Sequence, residues 1–291
     1  MSGQHRGIEN GQVDAAVPRV ARFLDGSIFY LLLVVIALTA VPYGTVQPWW
    51  VALFECLIFI IAILGVIESF IGKRRVVSLS LAAPLLVFIL FLVFQSLPLF
   101  SGTGLVNVRT GLSADPFNTR LLAVKLFALF IAGLLLLRYA SSPSRLRTLM
   151  YVVVGIGVAT ACFGILRKHY QTGPGFLLPG LPIGERGFAQ FINRNHFALL
   201  IEMSLGLSLG LIIGEVRRGR RVLVLALILL SALMWVALIY SNSRGGILAS
   251  LCQLVFLAVL LDPIRLVIGD NEGTRWRQIR NAPVDWQCEL F

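Results

Sequence analysis

Two short stretches of this 291-residue chain carry side chains able to bind an anionic group and move a proton beside it. The first, Gly187-Phe188-Ala189-Gln190-Phe191-Ile192-Asn193-Arg194-Asn195-His196-Phe197-Ala198, sets Arg194 and His196 among two asparagines where an apolar run begins. Arg offers a planar, permanently charged fork matched to phosphate oxygens. His is the side chain that exchanges a proton near neutral pH. The start of a helix adds free amides and the positive end of a dipole, which together favour an anion. The second stretch, Tyr240-Ser241-Asn242-Ser243-Arg244-Gly245-Gly246, is a polar knot between two apolar runs, with Arg244 next to Ser243. Arg186 precedes the first stretch and is a third candidate cation.

Each feature also has a plainer account. Capping by Asn193 or Asn195 explains the asparagines, but not the Arg and His beside them. His196 is open to two readings, a helix-end hydrogen bond or proton transfer. Ser and Asn turn a chain readily and Gly permits a close return, yet a turn has no need of Arg244. Arg167, Lys168, Arg186 and Arg194 all fall on the longest connection, Arg167 to Asn195, which is rich in Gly and Pro. A connection of that length is functional or disordered more often than idle. Its four cations suit either a solvated loop or a bound phosphate, and Arg167 and Lys168 can also snorkel from a helix end.

Three ionisable residues fall in or near apolar runs: Glu55, Lys125 and Glu202. Such charges face a bundle interior or water; Glu55 and Lys125 are near enough to a surface to reach it, and Glu202 is expected near His196 or paired with Lys125. Gly206, Gly210 and Gly214 recur every four residues, the spacing that lets helices approach closely in lipid.

The elements that must position these residues are membrane helices. The chain is 57% hydrophobic and 13% charged, with a mean hydropathy of +0.86, against roughly a quarter charged for soluble domains. Its formal charge of +11 lies in short clusters between apolar runs instead of one stripe, which argues against nucleic acid. Cys56, Cys162 and Cys252 sit inside apolar runs and Cys288 stands alone, so neither a disulfide framework nor a zinc site is indicated and no metal is expected. Polar residues precede the first apolar run without a clean cleavage site, so the first helix is expected to stay.

Runs long enough for a bilayer predict an all-α polytopic bundle of about eight transmembrane helices. They fall near Phe23–Val41, Trp49–Ile71, Leu79–Pro98, Leu121–Leu137, Leu149–Leu166, His196–Ile213, Val222–Tyr240 and Gly246–Leu261. Pro42-Tyr43-Gly44 stops the first, and Lys73-Arg74-Arg75 ends the second. With the N-terminus inside, Lys and Arg number 17 on inner segments against 6 on outer loops, so the positive-inside rule puts both termini in the cytoplasm and the two motifs on the opposite side. The chain then divides into a cytoplasmic tail (1–22), N-terminal helices with an outer loop (23–185), the motif-bearing region (186–261) and a cytoplasmic tail (262–291).

The two motifs together resemble the O-antigen ligase and O-antigen polymerase family of bacterial envelope glycosyltransferases, over roughly Arg186 to Leu261. That resemblance implies a GT-C-like fold in the bacterial inner membrane with its site facing the periplasm. It implies transfer of a glycan from undecaprenyl diphosphate to an acceptor, which is lipid A core, a protein hydroxyl or a second lipid-linked repeat. No nucleotide sugar, metal or other cofactor is implied. Arg194, His196 and Arg244 would be catalytic, and Arg186, Asn193, Asn195 and Ser243 would bind substrate. Family members continue past the Ser-Arg-Gly helix to a periplasmic loop bearing a His. Here the histidines are His5, His169 and His196, all before Arg244, so a truncated member is expected. The alternative from another class is a non-catalytic transporter of, or scaffold for, lipid-linked envelope glycan.

Overall fold

The structure, a computed structural model, describes residues 18–40, 47–72, 83–98, 112–173 and 187–261. Arg186, most of the Gly- and Pro-rich connection, the breaks at 42–44 and 73–75, residues 1–17 and the tail 262–291 lie outside them. Among the described residues eight helices follow in order: α1 (Arg19–Ala40), α2 (Pro48–Gly72), α3 (Ala83–Gln95), α4 (Pro116–Tyr139), α5 (Pro143–Tyr170), α6 (Arg194–Arg217), α7 (Arg221–Tyr240) and α8 (Arg244–Leu261). The all-α helical bundle expected from the sequence is present. Six helices, α1, α2 and α4 to α7, are long and apolar enough to cross a membrane, while α3 and α8 are shorter apolar helices. The chain is a multi-pass membrane protein.

The starts of α4 and α5 lie ahead of the apolar runs because polar caps set them. Asp115 accepts from the amide of Asn118 at 3.0 Å and Ser142 from that of Arg145 at 3.3 Å, each followed by Pro in the first turn. So α4 and α5 begin at Pro116 and Pro143, well before Leu121 and Leu149 where the apolar runs open. Likewise α1 begins at Arg19, inside the segment 1–22 expected to be tail.

Two apolar cores hold the bundle. One joins α1, α2 and α4 through Ile28, Leu32, Ile58, Ala128 and Tyr139. The other joins α5, α6 and α7 through Ala161, Phe197, Ile201, Leu205, Met234 and Leu238. α5 contributes to both, with Leu149 and Val152 against the first and Val154 in the second. α3 packs on α4, and α8 on α6. Large apolar side chains such as Phe70 (80% exposed), Ile63, Leu90, Leu229 and Val255 cover the outside. In water such a surface would drive association; against lipid tails it is at rest.

One end of the bundle is tied by ion pairs. Asp25 of α1 pairs with Arg145 of α5; Glu68 of α2 accepts from Arg138 at 2.6 Å and from the Tyr139 hydroxyl at 3.1 Å. Glu215 of α6 accepts from Arg218 at 2.8 Å and from the Tyr151 hydroxyl at 3.3 Å. Glu68 and Glu215 are buried, and burial of that kind is tolerated when cations and hydrogen bonds surround the charge. This is the end where the second, fourth and sixth helices finish; the two motifs occupy the other.

The glycines that allow close approach differ from those expected. A Cβ on Gly157 would strike Ser204 and Met234, and one on Gly164 would strike the ring of Phe188. Of the α6 series, Gly206 is covered by Gln253 of α8, but Gly210 has only the Met150 methyl at an ordinary 3.7 Å and Gly214 has open space. The four-residue spacing therefore marks one close helix approach, not three. Glu202 does not reach Lys125. It lies against Gly246 of α8, whereas Lys125 lines a cleft among α1, α2 and α4 with Leu32, Phe54 and Gly133.

Candidate functional site

At the motif end, residues 187–193 form a hairpin whose turn, 188–191, is buried, where the sequence suggests polar entry into a helix. Phe188 and Phe191 exchange backbone hydrogen bonds, Phe188 N to Phe191 O at 3.2 Å and Phe191 N to Phe188 O at 3.0 Å. Phe188, Ala189, Gln190 and Phe191 are all buried. The two Phe rings flank Phe197 of α6, at 4.6 and 6.4 Å between centroids. Gln190 donates to the Ala40 carbonyl of α1 at 2.7 Å and to Thr160 of α5 at 3.0 Å.

Ala189 turns the hairpin with φ of 52°. That left-handed conformation is one short hairpin loops usually assign to Gly, and it costs an L-residue with a Cβ roughly 1–2 kcal/mol. The strain is held from below: the guanidinium of Arg167, buried near the end of α5, donates to the Ala189 carbonyl and, through Nε, to Gln171 at 2.6 Å. Gly187 is fixed by space, since a Cβ there would lie 2.7 Å from the Phe191 carbonyl oxygen.

Asn193 closes the hairpin and caps α6, its Oδ1 accepting from the Asn195 amide at 2.9 Å. Capping thus falls to Asn193 and frees Asn195 for a second task. The Asn195 side chain accepts a hydrogen bond from the Ser243 hydroxyl at 3.0 Å. Ser243, buried, also accepts from the Gly246 amide at 3.3 Å at the start of α8. Ser241 accepts from the Ser243 amide at 3.3 Å, and Asn242 turns the chain with φ of 54°. The two motifs, 48 residues apart between Asn195 and Ser243, thus form one structure.

Beside the hairpin is a cleft of about 510 Å³, lined by Arg167, Lys168 and Gln171 of the α5 end, the hairpin, Arg194, and Tyr240 to Asn242. Its size suits a small ligand. Three cations and no carboxylate are among its described lining residues, so it would concentrate anions. Arg194 is exposed, and among the described residues neither it nor Arg244 has an ion-pair partner. Lys168 reaches the Tyr240 carbonyl at 3.4 Å, and His169 meets the Tyr240 ring edge-on at 5.9 Å.

Of the expected site residues, the fold brings Asn193, Arg194, Asn195 and Ser243 together, and Arg194 alone of these lines the cleft. His196 and Arg244 are exposed at the same end but are not among the lining residues. Arg186 is outside the described residues. Sequence reading leaves Arg167 and Lys168 open to snorkelling at a helix end and favours Arg186 and Arg194; Arg167 and Lys168 both line the cleft, and Arg167 is buried. The available signals were Gln171 one turn after Arg167 and Gly164 one turn before it, the small residue that seats Phe188. Compared with protein-family models, with curated proteins and with solved structures, the chain has no match.

Proposed function

We propose that this protein is a bacterial inner-membrane glycosyltransferase of the O-antigen ligase or polymerase type. Its basic cleft faces the periplasm and holds the diphosphate of an undecaprenyl-diphosphate-linked glycan. The observation that carries the reading is the cleft itself: Arg194, Lys168 and Arg167 line a space at the end of a membrane bundle with no carboxylate among its described lining residues. A lipid-linked diphosphate asks for that combination, with apolar helix faces for the polyprenyl chain and cations at the level of the headgroup. Arg and Lys there would neutralise charge that grows on the diphosphate as the glycan leaves, a major contribution to transferase catalysis. The Lys and Arg count supports this orientation, with the ion-paired end in the cytoplasm and the cleft outside. The acceptor is then lipid A core, a protein or a second repeat.

A second reading is binding or carriage of the lipid diphosphate without transfer. It is favoured by one observation: His196, the proton-exchanging side chain of the first motif, is not among the residues lining the cleft. The two are separated by replacing Arg194 or Arg244 with Ala in membranes supplied with lipid-linked glycan, following both binding and transfer at matched protein levels. Loss of transfer with Arg194→Ala supports the transferase. Binding by the wild type with no transfer to any acceptor supports the carrier. Unchanged binding and transfer in both variants rejects the diphosphate role for these arginines.

A further inference from the structure

We propose that Arg167 is a positioning residue. By clamping the hairpin 187–193 from below, it sets where Arg194 stands at the cleft. This deepens the reading above, and its ligand contribution rests on that reading.

The geometry supports a clamp. A buried cation needs more than one partner to remain in place, and Arg167 spends Nε on Gln171 and Nη1 on the Ala189 carbonyl. The planar guanidinium makes both bonds at once; an ammonium on a flexible stem holds no such fixed fork. Its target is the one non-glycine residue of the hairpin with a positive φ, and such a backbone persists only where its surroundings over-determine it. Those surroundings are three: Arg167 on the carbonyl, Phe188 seated on Gly164, and Gln190 tied to Ala40 and Thr160. From Ala189 the chain runs five residues to Arg194, through the Phe191 bridge and the Asn193 cap. A shift at Ala189 therefore moves the start of α6, where Arg194 is the first residue. Arg167, Ala189 and Arg194 all line the same cleft, so the clamp and the group it places share one wall.

The test is a distance measurement that requires no ligand. Spin labels on Arg194→Cys and Asn242→Cys, both exposed at the cleft, report the spread of positions of the α6 start in detergent or nanodiscs. With Arg167 present a narrow distribution is expected. Arg167→Ala should broaden it and speed amide exchange at Phe188 and Phe191 by about tenfold, the loss of one net hydrogen bond, while the interiors of α5 to α7 stay protected. Arg167→Lys should fall between, and added guanidinium should narrow the distribution of Arg167→Ala, a rescue that a collapsed fold does not permit. In unlabelled protein that keeps Arg194 and Asn242, undecaprenyl diphosphate should bind Arg167→Ala more weakly. An unchanged label distribution in Arg167→Ala overturns the proposal, whatever happens to binding. A broadened distribution with undiminished binding overturns its ligand contribution. If the wild type binds no lipid diphosphate, the function reading fails, and the label distances and guanidinium rescue still decide the clamp.

Discussion

The Ser243 hydroxyl donates to Oδ1 of Asn195 across 3.0 Å, and its oxygen accepts from the Gly246 amide at 3.3 Å. One buried hydroxyl therefore caps α8 and ties it to the first turn of α6. Asn193 and Asn195 divide the work at the other side of the joint: the first caps α6, the second holds α8. The consequence is that Arg194 and Arg244, each the first residue of its helix, start from a common anchor.

Replacing either partner of that joint should loosen it. Ser243→Ala removes a cap and an interhelical bond and should cost about 1–2 kcal/mol; Asn195→Ala should cost about 1 kcal/mol. Because they share one bond, the double variant should cost less than the sum. Thermal unfolding in detergent of the four proteins checks this, and strictly additive losses would mean the bond contributes nothing.

The buried pair at the opposite end should behave asymmetrically. Glu68 is fully buried between Arg138 and Tyr139, and its second oxygen has no hydrogen-bond partner among the described residues. Glu68→Ala strands the Arg138 charge and should destabilise by about 3–5 kcal/mol. Glu68→Leu with Arg138→Met removes both charges and should recover most of that loss. A double variant no more stable than Glu68→Ala contradicts this account.

The start of α4 predicts a modest acid response. The carboxylate of Asp115 accepts from the Asn118 amide and side chain, and these bonds, the backbone one foremost, hold its carboxyl below the usual range. Its contribution is therefore present above the ordinary carboxyl pKa and is lost as pH falls through the lowered one. Asp115→Asn should flatten the acid side of the stability curve of the α3–α4 corner, read by amide exchange of residues 116–120. A response identical to wild type removes Asp115 from the account.

Hydropathy alone located the eight helices, because a bilayer demands long apolar runs and little else resembles them. Their ends were less legible. Asp115-Pro116 and Ser142-Pro143 are ordinary start signals, but they stand in polar sequence that a hydropathy reading assigns to loops. At the site, Asn193 was readable as a cap because capping is local. The pairing of Glu68 with Arg138, 70 residues on, was not, since no local pattern encodes it. The hairpin is hidden for the same reason: Phe188 to Phe191 look like a helix entry until Gly164, Thr160 and Ala40 are seen to receive them. The role of Arg167 follows from the hairpin, so the sequence by itself shows only a cation near a helix end.

The glycines offer a sharp test of which helix contacts matter. Gly164 and Gly214 both lie inside helices, where Gly→Ala alone should gain roughly 0.5–1 kcal/mol by propensity. At Gly214 a Cβ meets nothing within 4 Å, so Gly214→Ala should be neutral or stabilising. At Gly164 the new methyl would strike the Phe188 ring, which is buried against Phe197 and has little room to retreat. Overpacking of that kind costs about 1–3 kcal/mol and outweighs the propensity gain. Gly164→Ala should therefore lower the melting temperature and, by lifting Phe188, loosen the hairpin that leads to Arg194. Equal effects at the two positions would show that the hairpin is not seated on α5 through Phe188, and with it the link from α5 to the cleft would lose its footing.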